Sequence, residues 1–235
     1  MSTPLHLILL AGGEGSRVGG VPKQFRNTDR GALFAVSLRT FLGPSTNSNE
    51  RWHLSSATVV APKEWQQQVR EELDTFDLPT FVAVPGSTRT ASTWQATSVL
   101  AAQGNPEAHD LVAVHDAARP FASRELLATL AVAALDHGVA VPGLPVTDTI
   151  VESVGEGTRY LQRDSLVAVQ TPQVSTWHFF AESHRWAHEA GRDFTDDGGL
   201  LAERGHATVV VPGEPENWKV TTANDWDRAE DLLRE

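Results

Sequence analysis

The 235-residue chain contains no cysteine, which excludes disulfides and thiolate metal sites. Lysine is nearly as scarce: only Lys23, Lys63 and Lys219 occur, so the place of each carries information. No apolar run approaches membrane-spanning length, and the opening Met1-Ser2-Thr3-Pro4-Leu5-His6 lacks the basic stretch of a secretory signal. The expectation is a cytoplasmic protein with no membrane partner. Positive charge is short overall, with a formal net charge of −11, so no basic face is expected for nucleic acid. A small polyanion needs only a local cluster of cations, and Arg17, Lys23, Arg119, Arg163 and Lys219 are the candidates. The nine histidines give no metal-spaced set. His184 and His188 are four apart in a helical stretch without a third ligand, and read as surface histidines.

What is present is enough for a core: 40% of residues are hydrophobic, and the length suits one α/β domain over 1–235. The most informative segment runs from Leu9 through Ala11-Gly12-Gly13-Glu14-Gly15-Ser16-Arg17 to Pro22-Lys23-Gln24. The apolar run before it, Leu5 to Leu10, reads as a buried strand. A strand that empties into a glycine-rich loop with Arg17 and Lys23 is suited to phosphates: glycines let the backbone approach a ligand, and the cations supply charge. Two common motifs are excluded. Gln24 follows Lys23 where a P-loop needs Ser or Thr, and Val18 stands where the dinucleotide fingerprint needs its third glycine. A tight strand-to-helix turn with incidental glycines is the alternative.

Apolar, β-branched runs recur at 5–10, 57–61, 80–84, 110–114, 138–142 and 207–211. Helical patterns fall between them: 32–42, a Pro62-initiated helix to Leu73, 90–102, 124–136, 174–190, 197–204 and 223–233. This alternation predicts a mostly parallel sheet covered on both faces, a three-layer Rossmann-like α/β fold. The polar stretch 43–56 reads as a surface loop. Residues 145–168 break the rhythm: apolar positions flank Gly155-Glu156-Gly157, which predicts a protruding β-hairpin. Its apolar residues need a partner surface, and a symmetric homodimer would provide one.

Val114-His115-Asp116-Ala117-Ala118-Arg119-Pro120 follows the fourth run. Ligands of open α/β sheets lie beyond the carboxyl ends of the strands, which puts Asp116 and Arg119 in the crevice of the glycine loop. Asp116 suits a ribose hydroxyl or a magnesium ion, and Arg119 a second anionic substrate. A structural Asp–Arg pair capping the next helix is the alternative. Pro85-Gly86-Ser87 and Ser92 end the third run, where Gly86 permits close approach and Ser92 can meet a nucleobase. Gln170-Thr171-Pro172-Gln173 and Asn217-Trp218-Lys219 are donor-rich loops. Asp196 or Asp197 reads as a helix N-cap.

Taken in order, LAGGEGSRVGGVPKQF, GSTRTAS, VHDAARPF, PVTDTI, QTPQ, FTDD and NWKVTT resemble the 2-C-methyl-D-erythritol 4-phosphate cytidylyltransferases of non-mevalonate isoprenoid synthesis, over nearly the whole chain. The resemblance implies a nucleotidyltransferase that uses CTP and a polyol phosphate. Ala11, Gly12 and Gly13 would hug the nucleotide, with Arg17 and Lys23 on the triphosphate. Gly86, Ser87 and Ser92 would contact cytosine, and Asp116 and Ala117 the ribose. Arg119, Thr149, Arg163, Thr171 and Lys219 would position the sugar phosphate, Thr149 and Arg163 reaching across from a partner's hairpin. Magnesium would ride on the CTP phosphates. The chain departs from the family pattern at Ala11-Gly12-Gly13, where Ala-Ala-Gly is usual, and at Pro85-Gly86-Ser87, where Gly-Gly-Asp is usual. Those three glycine-loop residues and Asp148–Ser153 also look like the sister ribitol 5-phosphate cytidylyltransferases, which stand as the alternative. A nucleotide-binding module without catalysis is a second alternative, disfavoured because the cations occur together.

Overall fold

A computed structural model describes residues 2–13, 21–42, 51–155 and 157–234. All six apolar runs are strands of one eight-stranded sheet: β1 (Thr3–Leu10), β4 (Trp52–Val60), β5 (Thr80–Ala83), β6 (Leu111–Asp116), β7 (Val139–Pro145) and β12 (Thr208–Pro212). Two small sheets lie apart from it, β2 (Asn27–Thr28) with β3 (Gly31–Ala32), and β8 (Val151–Val154) with β9 (Gly157–Tyr160). The helices are α1 (Leu33–Leu42), α2 (Gln66–Leu73), α3 (Arg89–Gln103), α4 (Arg124–His137), α5 (Trp177–Glu189), α6 (Asp197–Glu203) and α7 (Ala223–Arg234).

The sheet has three layers because its central strands are apolar on both faces. Along β1, Leu5, Leu7 and Leu9 join one core with Phe34, Leu38 and Phe41 of α1 and Leu127 and Leu130 of α4. Ile8 points the other way, into a second core with Ala96 and Leu100 of α3 and Phe180 of α5. A third, smaller core seats α7 through Trp226, Ala229 and Leu233 on Leu33 and Val220.

Two expectations are corrected. The stretch 43–56 is not a loop throughout: residues 43–50 lie outside the described set, but Trp52 already begins β4, paired with Thr3 of β1. The helix expected over 174–190 starts only at Trp177. Gln173–Thr176 form a strand, β11, inserted antiparallel between β6 and β7. A further short strand, β10 (Val167–Val169), is also antiparallel to β7. Valine, serine and threonine at 174–176 favour extended backbone, and the slot between β6 and β7 supplies both sets of hydrogen-bond partners. β10 and β11 lie along one edge of β7, and β12 runs parallel along the other.

β1 pairs in parallel with β4 on one side and β6 on the other. The chain therefore builds β4 and β5 outward and then returns across β1, and this reversal opens a crevice at the carboxyl ends of β1 and β6. Side-chain caps start α3, whose first turn lines it, and α6. Thr88 Oγ1 accepts from the Ala91 amide at the start of α3, and Asp196 Oδ1 from the Gly199 amide at the start of α6, as its N-cap reading required. The arm expected over 145–168 is narrower than its bounds: Pro145 and Val167 pair within the main sheet as the ends of β7 and β10, and the chain between them carries the β8–β9 hairpin, followed by a 3-10 turn at Arg163–Ser165. Among the described residues no helix is long and apolar enough to cross a membrane.

Candidate active site

The crevice is a cleft of about 750 Å³ lined by the ends of three strands: Leu10, Gly12 and Gly13 after β1, Pro85 to Arg89 after β5, and Asp116 and Ala118 after β6. Lys23, Gln24, Ser92 and Lys219 complete it, with Pro62 and Glu64 at one side. Two of the three lysines thus face one opening, although 196 positions of sequence separate them. Arg17 lies outside the described residues.

Glycine is required where the loops meet. A Cβ on Gly12 would sit 2.6 Å from Pro85 Cβ, and one on Gly86 2.5 Å from Ala91 Cβ. Gln24 ties the Lys23 turn to the β1 loop by donating from Nε2 to the Ala11 carbonyl at 2.9 Å. Ser92 Oγ accepts from the Gly86 amide at 3.1 Å, which holds the two residues expected at the base as one unit.

Asp116 is the polar centre. Lys219 Nζ donates to its Oδ2 at 2.6 Å, and Arg89 Nε lies 3.8 Å from its Oδ1. Its amide donates to Thr171 Oγ1 at 3.1 Å, and that hydroxyl also meets His115 Nδ1 at 3.1 Å. His115 Nε2 closes the chain on the Arg119 carbonyl at 2.9 Å. Burial pushes the His115 imidazole down to about 4. Burial works against the Asp116 carboxylate, but Lys219 and Arg89 outweigh it and hold its pKa below the usual range. Arg89 is balanced in the same way: burial opposes its charge, and Asp197 and Asp116 prevail, raising its pKa.

Several expected residues stand behind the cleft wall rather than on it. Ala11 and Ala117 are buried, and the Ala117 amide donates to the Leu10 carbonyl. Thr171 is buried with its hydroxyl occupied as above. Arg119 turns its Nη1 to the Asn217 carbonyl at 2.7 Å, and its Nε is buried without a partner. Arg163 and Thr149 do not line the cleft of their own chain; Arg163 Nη1 donates to the Thr147 carbonyl at the base of the hairpin.

Sequence reasoning missed Arg89. It lay in the GSTRTAS segment, one residue before the helix expected over 90–102, and was given no role. Its Nη2 donates to Asp197 Oδ2 at 2.7 Å. Asp197 is buried and meets His184 Nε2 at 3.0 Å, so His184 is a core residue and its reading as a surface histidine is corrected. The docking of α6 against α5 covers it, which a four-residue spacing within one helix does not reveal. His188 stacks on Trp94. Gln173 joins the same assembly: its Oε1 accepts from the amides of Asp197 and Gly198, and its Nε2 donates to Asp196 Oδ2.

Among the described residues no group of three histidine, aspartate or glutamate side chains converges as a metal site. Asp116 is the carboxylate at the cleft's centre among the described residues, and both its oxygens face cations.

Residues 5–235 match the family model described as IspD, 2-C-methyl-D-erythritol 4-phosphate cytidylyltransferase. A protein of that name from Salinibacter ruber is 30% identical over 97% of this chain and 92% of its own length. A bifunctional enzyme IspD/IspF from Nitratidesulfovibrio vulgaris is 34% identical over 93% of the chain but only 55% of its own length, so the chain spans about half of such bifunctional relatives. The crystal structure of the cytidylyltransferase from Thermus thermophilus superposes over the full length of both chains with a TM-score of 0.72 at 28% identity. A match across nearly every described element, with Gly12, Gly13, Asp116 and Lys219 gathered at one switch point, places the chain in the 2-C-methyl-D-erythritol 4-phosphate cytidylyltransferase family of nucleotidyltransferases.

Proposed function

We propose that the chain transfers the cytidylyl group of CTP to 2-C-methyl-D-erythritol 4-phosphate and releases pyrophosphate, as a step of isoprenoid synthesis in the cytoplasm. The observation that carries this reading is the cleft itself: within a chain of this family, it brings Gly12, Gly13, Lys23, Asp116 and Lys219 to one opening. An oxygen of the acceptor's phosphate attacks the α-phosphorus of CTP. The bond from that phosphorus to the bridging oxygen breaks, and pyrophosphate takes the electron pair. The attacking group is already anionic, so no general base is needed, and positioning and charge neutralisation supply the rate.

Lys23 and Arg17 take the triphosphate, Lys219 the acceptor phosphate, and the Gly86–Ser92 unit the cytosine. Asp116 holds the ribose. Among the described residues Asp116 is the carboxylate at the centre of the cleft and no cage of carboxylates surrounds it, a donor set that fits a magnesium ion carried mainly by phosphate oxygens. Bound there, the ion would neutralise phosphate charge. A homodimer is part of the proposal. The exposed Val151, Val154 and Tyr160 of the hairpin suit a second copy, whose Thr149 and Arg163 would complete the acceptor site.

Pyrophosphate release from CTP and magnesium tests the reading, with methylerythritol phosphate and ribitol 5-phosphate compared under identical conditions. Faster release with methylerythritol phosphate is expected. Preference for ribitol phosphate would shift the assignment to the sister enzymes, and CTP binding without release from either would leave a binding module.

A further inference from the structure

Lys219, Asp116, Arg89 and Asp197 form a row of alternating charge along the cleft wall. The two cations on Asp116 are not equivalent. Lys219 is within hydrogen-bond reach at 2.6 Å, whereas Arg89 Nε stands off at 3.8 Å. Their surroundings differ too. The Lys219 side chain is 43% exposed, while Arg89 is clamped at its far end by Asp197, a residue whose carboxylate, 2% exposed, His184 meets in turn and whose backbone amide Gln173 accepts from.

An ammonium held 2.6 Å from Asp116 gives up part of that contact when it turns to a phosphate. When it leaves, a carboxylate only 13% exposed loses its nearest counter-charge, and an abandoned partner of a buried pair is costly. Arg89 is the cation placed to limit that cost. Its Nε edge faces Asp116 while its Nη2 edge stays with Asp197, a division that a lysine's single ammonium cannot reproduce.

We infer that Arg89 is a positioning residue that takes over Asp116 when Lys219 swings to the acceptor's phosphate, so that substrate binding is an exchange of ion-pair partners. This rests on the function proposed above, since the exchange needs an anionic acceptor at Lys219. Arg89 acts through Lys219 and Asp116 and need not touch the reacting atoms.

The scarcity of lysine makes the exchange directly observable. Lysine-selective 13C labelling gives three ε-methylene resonances, assigned with single Lys→Arg variants. Methylerythritol phosphate is titrated into protein saturated with a CTP analogue whose α,β-bridge is methylene and cannot be cleaved. In the wild type the Lys219 resonance should move saturably and that of Lys63 should not. In Arg89→Gln the same movement should need about tenfold more acceptor, the KM for acceptor should rise in step, and the KM for CTP should stay within about twofold. Arg89→Lys should fall between the two. A Lys219 resonance that stays fixed in a wild-type protein turning over acceptor would overturn the exchange and leave the function standing. Equal rises of both KM values in Arg89→Gln and Arg89→Lys would also overturn it, since a merely structural role predicts that. A wild type that turns over neither polyol phosphate would remove both proposals.

Discussion

The cleft and the hairpin handle their side chains in opposite ways. In the cleft, the charges described on Asp116, Arg89, Asp197 and Lys219 meet one another within the chain. On the hairpin, every described residue of β8 and β9 is exposed, Tyr160 to 74%, and β9 pairs only with β8. An isolated two-stranded hairpin is marginal in water, and Arg159 with Glu152 gives it only a surface ion pair across the strands. The difference separates what one chain arranges by itself from what it leaves to another molecule. The described charges of the cleft find their partners within one copy, and the proposed acceptor side waits on a second.

The largest effect is expected on the self-contained side. Lys23 sits in the turn that Gln24 anchors to the β1 loop, where it would meet charge developing on the leaving phosphates. Lys23→Ala should lower kcat by about 10²–10³-fold while changing the KM for acceptor little. Steady-state kinetics with both substrates varied checks this, and near-normal turnover would remove Lys23 from the machinery.

Arg163 tests the other side. Its own chain holds it at the base of the hairpin through Thr147, and it does not line its own cleft. Arg163→Ala should raise the KM for acceptor and lower turnover by about 10–100-fold, as loss of a bidentate phosphate contact does. Mixing the impaired Arg163→Ala and Lys23→Ala chains should restore activity. A mixed dimer has one site with both residues intact and one with neither, so it should approach half of the wild-type rate. Mixed dimers that form and stay inactive would confine Arg163 to its own subunit and erase the contrast between cleft and hairpin.

The two regions also differed in how readable they were. The hairpin was evident from a glycine turn between apolar segments, because it depends on local sequence alone. The six main strands were evident because burial on both faces leaves continuous apolar runs. The cleft was only partly legible. Asp116 and Lys219 stood out by position and by scarcity. Arg89 did not, because its role is set by partners at Asp116 and Asp197, the latter 108 positions away, which only the tertiary approach of the first residues of α3 and α6 supplies. β11 was lost for a related reason. Four residues beside a helix carry too short a pattern, and the gap between β6 and β7 decides their conformation.

The smallest effect sharpens the claim that the cleft is braced from within. His115 lies beneath Asp116, with Nδ1 accepting from Thr171 and Nε2–H donating to the Arg119 carbonyl, and Phe41 packs edge-on against its ring. Both nitrogens are thus satisfied by the neutral tautomer, and a second proton would arrive at Nδ1 in a buried site. Burial holds the folded pKa down at about 4, against about 6.5 in the unfolded chain. Between these values the unfolded chain binds the extra proton and the folded one does not, so stability rises with pH across this window. Acidification from about 6.5 towards 4 should therefore cost up to about 1.4 kcal/mol per pH unit from this residue, and below about 4 its contribution should level off. Burial lowers His6 and His206 as well, so the informative comparison is wild type against His115→Gln, which keeps a donor towards Arg119 but does not titrate. Urea unfolding at pH 7 and pH 5 should give a smaller loss in the variant. Equal losses would mean that His115 is reached by water and that the wall behind Asp116 is less rigid than the front of the cleft requires.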